Sequence, residues 1–103
     1  MTIGIYCLYN YPMKIGFDPN KSAKNARERQ LPFELAADLE WDLALTFEDD
    51  RFAYGEIRII ALAPLKGRLH VVCYNQRDDV RWIISFRKAN AREVKVYEKT
   101  FDG

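Results

Sequence analysis

The chain has 103 residues, 49% apolar and 14% aromatic, a composition that supports one modest hydrophobic core and excludes a disordered or low-complexity protein. Net charge is +1, and no apolar run approaches the roughly 20 residues of a membrane-spanning helix. Cys7 and Cys73 are too few for a disulfide framework and no Cys/His cluster has zinc spacing, so a reduced, cytoplasmic setting with no metal and no cofactor is expected.

The charge is unevenly spread. Residues 1–56 carry 6 Lys+Arg and 10 Asp+Glu, while residues 57–103 carry 10 and 5. Such an asymmetry points to a basic surface on the second half of the fold. The whole chain, 1–103, reads as a single domain. Its first 13 residues read as an N-terminal extension or an extra edge strand, because Met13 opens MKIGFDP like a natural start.

In chain order, residues 14–17 predict a short strand. Asp18-Pro19 is a helix-start signal, with Asp as cap and Pro at the first helical position. The helix should run to about Arg29, before Pro32. A second short helix is expected from Phe33 to about Leu39, with Phe33, Ala36, Ala37 and Glu40 at helical spacing. After Glu40 the period becomes two, with Trp41, Leu43, Leu45 and Phe47 alternating with polar or small residues. Further strands are expected over residues 56–63, 68–74 and 80–87, with turns at residues 64–67 and 76–79. Asn90 and Glu93 form a capping box for a last helix.

This order predicts an α+β fold: short strand, two helices, four-stranded antiparallel meander, C-terminal helix. The helices would cover one face of the sheet and leave the other partly open.

Strict alternation puts Val80, Trp82, Ile84 and Phe86 on a core face, and Arg81, Ile83, Ser85 and Arg87 on the other. With Arg58, His70 and Tyr74, the polar sides of the strands would gather cations suited to phosphate. Arg81 and Arg87 read as phosphate ligands, or as ion-pair partners of Glu48, Asp49 or Glu56. His70 reads as an acid–base group or as a structural histidine. Ser85 reads as a small residue that lets substrate approach. Arginines around a histidine suit metal-free RNA cleavage, which needs cations for the pentavalent phosphate.

Four blocks, FDPNKSAKN (17–25), LPFELA (31–36), EDDRFAYGEIR (48–58) and VRWIISFRKANAREVKVYE (80–98), resemble the BrnT toxins of bacterial type II toxin–antitoxin modules. The resemblance spans residues 14–98. It implies a RelE-like fold, ribonuclease activity and neutralisation by a DNA-binding BrnA-type antitoxin, hence an RNA substrate and a hetero-oligomer with the antitoxin. Where the family commonly has Lys-His-Gly after the first helix, this chain has Glu28, Arg29 and Gln30. The resulting expectation is a metal-independent endoribonuclease that inhibits translation. Arg29, Arg58, Arg81 and Arg87 would surround the scissile phosphate, and Ser85, Lys88, Tyr54 and His70 would contact RNA. Tyr97 is a further stacking candidate or a core residue. The alternative is a catalytically weakened module that only binds RNA or antitoxin.

Overall fold

The computed structural model describes residues 14–49 and 55–102. The segment 1–13 and Tyr54 lie outside the described residues. The elements are β1 (Lys14–Gly16), α1 (Pro19–Arg29), a 3₁₀ helix (Phe33–Asp38), a 3₁₀ turn (Trp41–Leu43), β2 (Leu45–Glu48), β3 (Arg58–Leu65), β4 (Arg68–Arg77), β5 (Val80–Lys88) and α2 (Ala91–Asp102). The five strands form one sheet in the order β1-β5-β4-β3-β2. Strands β2 to β5 make the expected antiparallel meander, and β1 adds in parallel to β5.

Both capping signals act as the sequence predicts. The Asp18 carboxylate accepts from the Asn20 amide at 2.8 Å, with Pro19 at the first helical position. The Asn90 side chain accepts from the Glu93 amide at 2.8 Å, while Glu93 accepts from the Asn90 amide at 2.9 Å. Each bond satisfies an amide that the helix itself leaves orphaned. Helix α1 stops at Gln30, which takes φ 59° and ψ 31°. A side chain in this left-handed region is strained, whereas glycine is not. Gln30→Gly is therefore expected to add about 0.5–1 kcal/mol after the extra freedom of the unfolded glycine is subtracted. A thermal melt would show a rise of a few degrees; an unchanged or lower midpoint would show that Gln30 bears no strain.

The period-two reading of Trp41–Phe47 holds only from Leu45. Trp41 instead turns, because its indole Nε1 donates to the Ala36 carbonyl at 2.9 Å and its ring meets Tyr74 edge-on at 5.6 Å. The turn at residues 64–67 contracts to Lys66-Gly67, with φ 50° and 79°. Positive φ at both central positions matches the twist of a two-residue hairpin. Strand β4 runs to Arg77, three residues beyond the predicted end.

The main core lies between one sheet face and the 3₁₀ helix. It holds Leu31, Phe33, Ala36, Leu39, Ala61, Ala63, Val72, Tyr74, Ile83 and Phe86. A smaller cluster of Leu62, Val71 and Ala89 lies on the opposite face, where Val94 and Tyr97 of α2 pack. The expected one-sided helix layer thus describes the 3₁₀ helix, while α2 reaches across the other face. Tyr97 donates its hydroxyl to the Leu43 carbonyl at 2.7 Å, and its ring lies 4.6 Å from Phe101. It is a packing residue of α2.

Candidate nucleic-acid interface

The candidate surface is decided by one irregularity. Cys73 pairs with Ser85, but the next residue of β4, Tyr74, pairs with Ile83. Strand β5 therefore carries one extra residue, Ile84, and its alternation slips there. Ile83 is 1% exposed and Phe86 0%, both in the same core cluster although three residues apart. The strict alternation expected for residues 80–87 is corrected accordingly: Ile83 is core, while Val80 and Trp82 belong to the face shared by Ser85 and Arg87.

Residues directly opposite in a ladder point to the same side. The register pairs Arg58 with Asn75, Asn75 with Trp82, Cys73 with Ser85, Val71 with Arg87, and Arg77 with Val80. Arg58, Arg77, Ser85 and Arg87 thus share one sheet face, and α2 leaves Ser85 exposed there. Glu56 binds Arg58 at 3.2 Å and Arg77 at 3.9 Å. Asn75 accepts from Arg77 Nε at 2.7 Å and donates to the Ile57 carbonyl at 2.8 Å. The Arg77 guanidinium lies 4.7 Å over the Trp82 ring, so its fork is oriented from two sides.

Arg87 makes a bidentate bond to Glu93, at 2.9 and 2.8 Å. This bond holds the Glu93 carboxyl below the usual carboxylate range and pushes Arg87 up. An unfolded glutamate titrates near its ordinary value of about 4.3. The stability from the pair is therefore complete above that pH and is lost as pH falls through the lower folded value. The gap in melting temperature between wild type and Glu93→Gln should be clear at neutral pH and close on acidification. A constant gap would mean the bond is not the source of the shift.

The other expected site residues are dispersed. Arg81 pairs with Gln76 and so faces the main core, not the face of Arg87. Its guanidinium stacks 4.0 Å over Trp41 and 5.8 Å from Tyr74, and its Nε is buried without a hydrogen-bond partner. His70 is 4% exposed and lies 5.6 Å from Phe86, with Nδ1 at 2.7 Å from the Arg68 carbonyl. Burial lowers its pKa, which favours neutral imidazole. The side chain is thus enclosed on the core face, away from Arg58, Arg77 and Arg87. Lys88 is exposed opposite His70 in register. Arg29 is exposed at the end of α1 and meets Ser85 along a groove at the edge of β5.

Arg77 and Trp82 were not foreseen. The sequence assigns Arg77 to a turn, and only the two-residue connection Asp78-Asp79 would have returned it to the strand. Its signal is positional: counted back from that tight turn, Arg77 opposes Val80.

A face with Arg58 and Arg77 at one end, Arg87 towards the other and an exposed serine between offers charge-assisted hydrogen bonds to phosphodiester groups. Among the described residues, no group of three His, Cys, Asp or Glu is placed to hold a metal ion. No helix among them is long and apolar enough to cross a membrane. A search of curated proteins finds no match. Residues 17–93 match the family described as the ribonuclease toxin, BrnT, of type II toxin–antitoxin systems. That span includes every strand of the meander and the Arg87–Glu93 bond, and it places the chain in the BrnT family of ribonuclease toxins.

Proposed function

We propose that this chain cleaves RNA on the face of Arg58, Arg77, Ser85 and Arg87, without a metal ion, and thereby inhibits translation in the cytoplasm. A cognate DNA-binding BrnA-type antitoxin would neutralise it as a hetero-oligomer. The observation that carries the reading is the placement of three guanidiniums, from β3, β4 and β5, on one sheet face, two of which, Arg58 and Arg77, share the Glu56 carboxylate. The ladder on both sides fixes their backbones, so the cations are placed before charge develops. Attack of the ribose 2′-oxygen on phosphorus breaks the bond to the 5′-oxygen and leaves a 2′,3′-cyclic phosphate. Arg58 and Arg77 would neutralise the pentavalent phosphate. Glu56, held between them, would take the 2′-hydroxyl proton, and solvent would protonate the leaving oxygen.

One observation favours a second reading, a module that binds RNA or antitoxin without cutting. His70 is buried on the opposite face, so the chain's one imidazole is remote from the arginines, and Glu56 and Glu93 already engage all three of them. Expressing the chain alone in a bacterial host separates the two: growth arrest with fragmented RNA supports the nuclease, and intact RNA supports the binding module. In the cleavage assay, activity should be unchanged by EDTA. Loss on chelation with recovery in magnesium would reject metal independence. Co-purification with the product of the adjacent reading frame at low salt tests the antitoxin.

A further inference from the structure

We infer that the groove between α1 and the free edge of β5 is a second RNA subsite, which holds backbone phosphates flanking the scissile bond. The inference rests on the reading that the arginine face takes RNA. Strand β1 pairs only with Val80–Trp82, so beyond Trp82 the edge of β5 meets a helix instead of a strand. Asn25 fixes that helix: its side-chain amide donates to the Phe86 carbonyl at 2.9 Å and to the Leu31 carbonyl at 2.7 Å. A groove of about 250 Å³ remains, floored by Phe33 and Ile84 and walled by Lys21, Lys24, Arg29 and Ser85. It is smaller than a pocket that encloses a drug-sized ligand, and it is open, as a track for a chain would be.

Its electrostatics differ from those of the sheet face. Arg58, Arg77 and Arg87 each have a carboxylate partner. Among the described residues, no carboxylate lies at ion-pair distance from Lys21, Lys24 or Arg29, although Glu28 borders the same groove. Three cations spread over about 12 Å of helix axis, at 1.5 Å per residue, border this one groove, a spacing that suits successive phosphates of a polyanion better than a single small anion. The bulge joins the two surfaces. Ser85 opposes Cys73 on the arginine face and also lines the groove, so a strand leaving the face over Ser85 enters between Lys21, Lys24 and Arg29. Contacts from Lys21, Lys24 and Arg29 to backbone phosphates would position a strand without reading its sequence.

The test measures binding of the full chain to uncleavable 2′-O-methyl RNA, as a dinucleotide and as a 12-mer, across a salt series. The variants are Lys21→Gln/Lys24→Gln and, for the sheet face, Arg58→Ala. Both lysines are exposed, and circular dichroism checks that the fold is kept. The double variant should bind the 12-mer about three- to tenfold more weakly, as expected for two exposed ion contacts. Its slope of log affinity against log salt should fall by about 1.4, at roughly 0.7 per phosphate contact on a single strand. Its affinity for the dinucleotide should be unchanged, while Arg58→Ala should weaken both ligands. If Arg58→Ala weakens binding and the lysine variant keeps wild-type affinity and slope, the subsite is overturned and the sheet-face reading stands. A lysine variant that binds RNA normally but loses the antitoxin would assign the groove to that protein and overturn the inference. Wild type that binds neither oligonucleotide would reject both readings.

Discussion

Arg58→Ala should abolish growth arrest while the protein stays folded. The guanidinium projects from the first residue of β3, and its backbone is fixed by pairing to Asn75. Loss of one preorganised donor to a developing charge costs about 3–4 kcal/mol of barrier, or roughly a hundred- to a thousandfold in rate. The folded state should change little, since Arg58 is only partly buried and its bond to Glu56 is surface-exposed. Arg58→Lys should recover a minor part, because an ammonium cannot reproduce the bidentate fork. The measurements are growth, RNA fragmentation and thermal melting, with Lys99→Ala as a surface control. Full toxicity in Arg58→Ala would remove Arg58 from the chemistry, and the proposal for this face would fall with it.

Arg81→Ala should do the reverse: it should lower stability and leave RNA cleavage by the folded protein near wild type. Arg81 lies on the core-facing side, with its guanidinium on Trp41 and Tyr74. A desolvated cation over an indole contributes up to about 2 kcal/mol, and its aliphatic stem covers apolar surface besides. A loss of about 2 kcal/mol corresponds to roughly 10 °C in a domain of this size. Arg81→Lys should retain part of the cation–aromatic contact and melt between the two. The check is cleavage below the variant's own melting range. If Arg81→Ala melts like wild type but cleaves a hundredfold more slowly, Arg81 serves the reaction.

The contrast between these two arginines shows what could be read from the sequence. Signals closed within a few residues were legible. Asp18-Pro19 opens a helix, and Asn90 with Glu93 caps one, because each cap needs only its own neighbours. The hairpin order followed from turn chemistry, and Arg58, Ser85 and Arg87 were correctly assigned to one face. The phase of β5 was not legible. Ile83-Ile84 is apolar at both positions, so nothing local says which isoleucine enters the core. That choice is made by Tyr74 on the neighbouring strand, against which Ile83 pairs. Once the phase slips, Arg81 and Arg87 fall on opposite faces. Trp41 misled for a related reason: its alternation with Leu43 and Leu45 mimics a strand, but its indole is committed to a carbonyl five residues earlier. The partner of Arg87 was also hidden: the cap was foreseen, but α2 was expected on the other face of the sheet, and Glu93 meets Arg87 only because α2 crosses this one.

Glu93 holds two duties with one carboxylate. Its Oε1 accepts both from the Asn90 amide, at the start of α2, and from Arg87, on the arginine face. A phosphate that drew Arg87 away would leave this carboxylate held by the Asn90 amide alone, and the first turn of α2 would lose one of its two ties. Phosphate bound on the sheet face would thereby be linked to the order of the last helix, and such linkage is reciprocal. Anything that clamped α2 against the sheet would keep Glu93 on Arg87 and oppose phosphate binding there. A protein could therefore silence this face by gripping α2 alone, without ever touching the arginines.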